Sequence, residues 1–316
     1  MIIIGAGLAG CLAGVLDKTA GIYEAGSEES VIGQHRAVLR FRDRKISDAT
    51  GIPFEKVTVR KQIWYKGLSY NWCPLHLANM YSLKTNGTVS PRSILDLATV
   101  ERYIAPANFH EQLAERCRGR IYWNEPVRAI SREVMSIGGE HSEGCNLDRI
   151  GDPILSTVPI EALLRMTGYS HQGEFRSEPI STVQYRIRDC NVNQTIYYPH
   201  PNSSQYRATL QGDILTVEYM EHIGVPDTYD VLESFGLVSH AYQYIRNGYQ
   251  RYGKIIENHR PEMKELLLYL TLRYDVYSLG RFACWRNILM DDVYDDFILI
   301  KTMMSLGRFD LIRSTL

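Results

Sequence analysis

Apolar and polar positions along the chain follow two periods, and the change from one to the other marks its parts. Ile2-Ile3-Ile4 is a short, wholly apolar run of strand type. A glycine-rich hexad, Gly5-Ala6-Gly7-Leu8-Ala9-Gly10, follows without a spacer, and Cys11-Leu12-Ala13-Gly14-Val15-Leu16 reads as the turns of a packed helix. Strand character returns at Gly21-Ile22-Tyr23 and ends on Glu24. Residues 57–72 are rich in β-branched and aromatic residues and predict strand. From Ser90 the pattern turns helical: Ser90-Pro91 serves as N-cap and first helical residue, with Ile94, Leu95, Leu97 and Ala98 as the apolar stripe. A second helix opens at Pro106 and carries Phe109, Leu113 and Cys117, so residues 85–118 read as a small helical insertion. Strands follow at 121–123 and 127–130, then a polar hairpin at 131–150, a buried strand at 154–158 and a helix from Ile160 to Met166. Alternation over Ser181–Ile187, Thr195–Tyr198, Tyr206–Leu210 and Ile214–Tyr219, separated by turn residues, predicts an antiparallel sheet. Residues 227–250 read as helical and tyrosine-rich. A helix at Met263–Leu272, a strand at Val276–Leu279 and an amphipathic helix at Asp291–Lys301 complete the pattern.

The first 24 residues carry the clearest chemistry. Gly5 permits a tight turn, Gly7 allows a pyrophosphate to approach the backbone, and Gly10 lets helix and strand pack closely. The phosphates then meet the free N–H groups and the positive end of the helix. Glu24, 19 residues after Gly5, stands where a carboxylate can accept hydrogen bonds from ribose hydroxyls. A GxGxxG set between strand and helix, with an acid at this distance, predicts a dinucleotide site.

Composition narrows the rest. The 316 residues are 45% hydrophobic and 22% charged with net charge −1, an ordinary globular balance that favours neither nucleic acid nor an anionic membrane. Six cysteines (11, 73, 117, 145, 190, 284) lie far apart with no CxxC, which fits reduced thiols and a cytoplasmic chain. No apolar stretch approaches the ~20 residues of a membrane span, and the N-terminus lacks the charged region of a signal peptide. Locally the charge is uneven: residues 36–66 hold nine Lys or Arg against three acids. A solvated face, a clamp on cofactor phosphates and a site for an anionic substrate are all consistent with it. His35, His76, His200 and His240 are spread too widely for a metal site, and none is expected. The acids Asp291, Asp292, Asp295 and Asp296 read either as charges suited to a helix N-terminus or as cation ligands.

A second constellation lies near the other end. Gly280-Arg281-Phe282-Ala283-Cys284-Trp285 ends a buried strand, and Met290-Asp291-Asp292-Val293 opens a helix that can aim its N–H groups at an anion. With the N-terminal unit, this segment resembles the amine oxidase and UDP-galactopyranose mutase-like group of FAD proteins, most nearly the mutase branch. Leu155-Ser156-Thr157-Val158-Pro159 resembles the strand by which those proteins return to the cofactor domain, and Tyr206-Arg207 with Glu218 resembles the mutase sheet that carries a substrate-binding arginine. Where the group shows a double glycine after the ribose acid, this chain has Ile32-Gly33-Gln34-His35-Arg36, and Leu289 replaces the mutase aspartate.

The resemblance implies an α/β fold: a Rossmann-like FAD-binding domain from residues 1–60, 119–165 and 252–316, with an inserted antiparallel-sheet substrate domain and small helical insertion from 61–118 and 166–251. It implies FAD contacts at Gly5, Gly7, Leu8, Ala9 and Gly10, at Glu24 and Ala25, at Gln34, His35 and Arg36, at Val127 and Thr157, and at Gly280, Arg281, Met290, Asp291, Asp292 and Val293. Arg207, Tyr198 and Tyr185 are the expected catalytic residues, on a sheet whose tyrosines either line the flavin pocket or sit on its surface. The implied activity is oxidation of a C–N bond in an amine or amino-acid-like substrate, on a small molecule, a nucleotide or a modified base in nucleic acid. A redox-neutral mutase acting on a nucleotide sugar, and a nucleotide-binding module without catalysis, are the alternatives.

Overall fold

The computed structural model describes residues 1–33, 38–89, 93–138, 145–148, 152–171, 174–220, 229–238, 241–256 and 260–306. One unit, assembled from along the chain, is a five-stranded parallel sheet in the order Val276–Ser278, Ile154–Ser156, Ile2–Ile4, Gly21–Tyr23, Ile121–Tyr122. The first strand is central because Ile3 and Ile4 are apolar on both faces, as a sheet covered on two sides requires. Helix Leu8–Leu16 crosses from it to Gly21–Tyr23. Leu12 and Ala13 of that helix share a core with Phe109, Leu113 and Cys117 from helix Phe109–Arg116, and with Val293 and Phe297 from helix Met290–Ser305. A three-stranded antiparallel sheet (Val127–Ile130, Val134–Ile137, Cys145–Asp148) packs with helices Ile160–Thr167 and Arg260–Tyr274 around Met135, Leu163, Leu266 and Trp285.

The remaining strands form a nine-stranded sheet among the described residues. Its order is Tyr242–Ile255, Ser177–Ile187, Ile214–Tyr219, Gln205–Gly212, Val192–Tyr197, Glu55–Tyr65, Val100–Ile104, Arg40–Phe41, with Leu68–Tyr70 paired beside Glu55–Tyr65. Neighbours are antiparallel except Val192–Tyr197 and Glu55–Tyr65. One face is apolar: Val183, Tyr185, Ile196, Tyr198, Leu215 and Val217 pack under Val231 and Leu232 of helix Tyr229–Ser234. The opposite face buries Thr182, Gln184, Thr195, Thr209, Thr216 and Glu218. That face is concave. Arg40 bonds the Thr195 hydroxyl, although three strand spacings, roughly 14 Å along the sheet, separate their strands. Only a curled sheet brings the two together.

The α/β architecture expected from the sequence is the one observed, with two local differences. Residues 93–95 form a single 3-10 turn and Val100–Ile104 a strand, in place of the helix expected from Ser90; Ser90–Arg92 lie outside the described residues. The helical piece stands earlier, at Leu75–Asn86, closed by Gly87 in the left-handed conformation. Ile94 and Leu97 are buried, but against Ile63 and Tyr81, and the β-branched run after them pairs with Glu55–Tyr65. Among the described residues of 227–250, helix is confined to Tyr229–Ser234. Tyr242–Ile255 is a 14-residue strand paired antiparallel with Ser177–Ile187 across two register shifts. Tyrosine suits a pleated surface, and tertiary pairing decides the outcome.

Phe109 contacts the rings of Phe41 and Phe54, with centroids 5.9 and 5.3 Å away, and is fully buried. Phe109→Ala is expected to lower unfolding free energy by about 3–5 kcal/mol in urea denaturation.

Candidate functional site

The glycine loop is set by contacts at atomic range. Gly5 adopts φ +97°, and its N–H donates to Tyr23 O at 2.8 Å. A Cβ on Gly10 would lie 1.8 Å from Gly5 O, so only glycine lets the helix start this close to the strand. Gly7 differs: it is exposed, and a Cβ there would meet nothing within 4 Å. The open side lies over the first turn of helix Leu8–Leu16, whose Ncap residue, Gly7, supplies no side-chain cap. The N–H groups of Leu8, Ala9 and Gly10 there have no carbonyl of their own helix to bond. Thr157 Oγ1 donates to Ile4 O at 2.9 Å and Gly5 O at 3.1 Å, pinning the loop from the neighbouring strand. Gly280, at φ +104°, approaches Ala9 so closely that an added Cβ would sit 3.4 Å from Ala9 Cβ. Ser156 and Ser278, at the carboxyl ends of adjacent parallel strands, bury hydroxyl oxygens that have no hydrogen-bond partner among the described residues. This is the edge at which open parallel sheets bind ligands.

Glu24 ties the loop together. Its Oε2 accepts the Ala6 N–H at 2.7 Å and its Oε1 the Gly26 N–H at 2.9 Å, leaving further lone pairs for hydroxyls. Ala25 beside it is exposed, and Val127 is buried against Ile4 and Ile154. Gln34, His35 and Arg36 lie outside the described residues. His110 was not legible in the sequence. It is buried, its Nε2 stands 2.9 Å from Ala6 O, and its Nδ1 is buried without a partner among the described residues. Burial lowers its pKa, so the ring is neutral at neutral pH and donates from Nε2 to the carbonyl. Nothing in its spacing signals this contact, which spans 104 residues.

At the C-terminal constellation, Arg281 donates through Nε and Nη2 to Ile288 O at 3.2 and 3.0 Å, closing the loop that leads to helix Met290–Ser305. Met290 is partly buried and Val293 is core. Asp291 Oδ1 accepts the Arg42 N–H at 3.0 Å; burial raises its pKa against the pull of Arg42. Asp292 accepts the Leu289 N–H at 2.8 Å and pairs with the Arg42 guanidinium. Burial pushes its pKa up, but these partners hold it below the ordinary value. Asp295 pairs with Lys45 at 3.2 Å and Asp296 with Arg286 at 3.1 Å. The acid row is thus an ion-paired helix start, and among the described residues no His/Cys/Asp/Glu cluster could hold a metal. Much of the basic stretch is accounted for in the same way, since Arg44 pairs with Asp48 and Lys56 with Glu101.

On the concave face, Arg207 makes a bidentate pair with Glu218, whose Oε1 also accepts the Tyr206 hydroxyl at 3.0 Å. Lys254 Nζ stands 4.2 Å from the Tyr206 ring centroid. Burial opposes the charge on Glu218, yet Arg207 holds its pKa below the ordinary value; burial and then Glu218 push Tyr206 upward. Tyr185 and Tyr198 do not join this group. Both belong to the opposite, apolar face: the Tyr198 hydroxyl is 2.6 Å from Ser234 Oγ, and Tyr185 sits edge-on to Tyr242 at 5.5 Å. Alternation set their side of the sheet correctly with respect to each other but did not say which side was concave. Tyr206, Glu218 and Lys254 surround Arg207 in their place.

Tyr198→Phe is therefore expected to reduce stability by about 1 kcal/mol in urea denaturation through loss of one buried hydrogen bond. Arg207→Met, which strands a buried carboxylate, is expected to cost about 3–5 kcal/mol at neutral pH. Because the folded-state pKa of Glu218 is depressed, the contribution is present above the ordinary carboxylate value near 4.5 and is lost as pH falls through and below it. The gap between wild-type and variant urea midpoints should narrow over that range.

No protein-family model matches the chain, and no curated protein matches its sequence. Solved structures match its fold. A reduced UDP-galactopyranose mutase superposes with TM-score 0.63 at 15% identity, over 90% of this chain and 90% of that one. A CLA-producing fatty acid isomerase from P. acnes gives TM-score 0.64 at 13% identity, over 95% and 97%. A geranylgeranyl bacteriochlorophyll reductase-like protein from Thermoplasma acidophilum gives 0.59 at 12%, over 99% and 79%. At such identities the likeness is one of fold, and the resemblance to the mutase branch carried by the sequence holds at that level.

Proposed function

We propose that this chain is an FAD-dependent oxidoreductase. The observation that carries the reading is the glycine loop, closed to a Cβ at Gly10 and open above Gly7, at the uncapped N-terminus of helix Leu8–Leu16. A pyrophosphate fits that opening on the N–H groups of Leu8, Ala9 and Gly10, and Glu24 retains lone pairs for a ribose. Thr157 and Gly280 fix the loop from the adjoining strands. Bound there, FAD would supply the two-electron acceptor of the reaction. Arg281 keeps the loop before Met290 in place, which sets the start of the helix that the sequence aims at the cofactor.

The chain's own work is then to bind and orient a substrate against the concave face. Arg207, fixed by Glu218 and Tyr206, offers a rigid guanidinium edge, and the Tyr206 phenol stays neutral. The favoured reaction is oxidation of a C–N bond in an amine or amino-acid-like small molecule. It demands position more than an acid–base side chain, in keeping with a face whose buried carboxylate, Glu218, is paired with Arg207. A redox-neutral rearrangement of a nucleotide sugar is the second reading, supported by the fold shared with the mutase. Peroxide release over a panel of amines, beside galactopyranose turnover under reducing conditions, separates the two.

Gly7→Val adds atoms only where the ligand would lie, so it is expected to leave the urea midpoint unchanged and abolish bound flavin, read from visible absorbance. A full flavin complement in that variant would contradict the assignment. Glu24→Gln is expected to weaken flavin affinity by about 1.5–3 kcal/mol, the worth of a charge-assisted bond.

A further inference from the structure

The polar lining of the concave face contains a cation, Arg40, with no ion-pair partner among the described residues. Arg40 crosses the curl of the sheet, donating from Nη1 to Thr195 Oγ1 and from Nη2 to Leu210 O, both at 2.8 Å. Both acceptors are neutral, and Nε is buried with no partner among the described residues. The register places two more cations on the same face. Arg102 lies two residues before Ile104, the partner of Arg40, and Lys61 stands opposite Thr195. Arg102 donates to Glu101 O and Lys61 to Asp96 O, again backbone carbonyls. Burial, then repulsion from Arg207, lowers the Arg40 pKa to about 10, with Arg102 adding to it. Burial likewise lowers that of Lys61, where Asp96 pulls the other way and Arg102 adds to the lowering. Glu218, the acid buried on this face, is already held by Arg207 and Tyr206. Beyond the Thr195–Thr209 pair, Asn193 Oδ1 and Gln211 Oε1 are also buried without partners among the described residues.

A guanidinium withdrawn from water without a counter-charge is costly, and an anion beside it removes that cost. We infer that Arg40, with Arg102 and Lys61, forms an oxyanion-binding subsite at one end of the concave face, taking the phosphate or carboxylate group of a small molecule. The planar fork of Arg40 suits either group, and its two neutral bonds hold the fork in place. The subsite is separate from the Arg207–Glu218 pair and independent of which cofactor fills the glycine loop.

Isothermal titration of the purified chain, with FAD present in excess, tests the inference using inorganic phosphate and, separately, succinate. At least one is expected to bind, with affinity falling as salt rises. Arg40→Met should weaken it at least tenfold and Lys61→Met several-fold. Arg44→Met, which removes an exposed partner of Asp48, should leave it unchanged. The probe that binds names the ligand group. Among the described residues Lys61 bonds a single backbone carbonyl, so its variant carries the test if Arg40→Met fails to fold. Absence of binding by both probes, or binding that Arg40→Met and Lys61→Met leave intact, would overturn the subsite. If the chain takes up no FAD the flavin reading fails, but the same variants still decide this one, because they leave the glycine loop untouched.

Discussion

The peptide of Ala6 is held from three sides, and the arrangement of the strand–glycine loop–helix unit depends on it. Glu24 accepts its N–H, while His110 and the Cys11 thiol donate to its carbonyl at 2.9 and 3.1 Å. These partners come from the end of strand Gly21–Tyr23, from helix Phe109–Arg116 and from helix Leu8–Leu16. The loop between the first strand and first helix is therefore fixed by three separate elements. Such fixing is what a phosphate cradle requires, because N–H groups stabilise an anion best when they need not reorganise to meet it. The close contact of Gly10 with Gly5 is the steric side of the same constraint. Burial keeps His110 neutral, so it adds a donor near the loop without adding a charge.

The basic stretch that follows the loop binds the parts of the molecule to one another. Arg42 and Lys45 reach Asp291, Asp292 and Asp295 at the start of the C-terminal helix, while Arg40 reaches across to the large sheet. Exposed pairs of this kind contribute little each, about 0–1 kcal/mol. Their effect here is mainly geometric: they align the helix start with the loop opposite it. Much of a run of cations in the sequence, Arg42, Arg44, Lys45 and Lys56, thus becomes a row of ion pairs, whereas Arg40 turns onto the concave face.

How much of this was legible from the residues differs from element to element. The strand–glycine–helix–acid unit was, because each residue type there answers a local steric or electrostatic demand that sequence spacing expresses directly. The antiparallel sheet was too, through its period of two. The direction of its faces was not. Tyr185 and Tyr198 alternate as strand residues should, but both faces of this sheet are buried, so alternation cannot tell which is the concave one. Most of the strand at Tyr242–Ile255 lies within the residues 227–250 expected as helix, and its pairing with Ser177–Ile187 is a tertiary contact that no local pattern expresses. His110 had no signal at all, since its role arises from tertiary packing between segments 104 residues apart. The curl that lets Arg40 meet Thr195 is likewise a property of the assembled sheet and not of any one strand.

The central claim is that the cradle above Gly7 holds FAD, and the visible absorption spectrum of the wild-type protein tests it most directly. Purified as expressed, or after incubation with FAD and removal of the excess, the protein should show the two visible bands of oxidised flavin at about one flavin per chain. A folded protein that stays colourless after reconstitution would contradict the account.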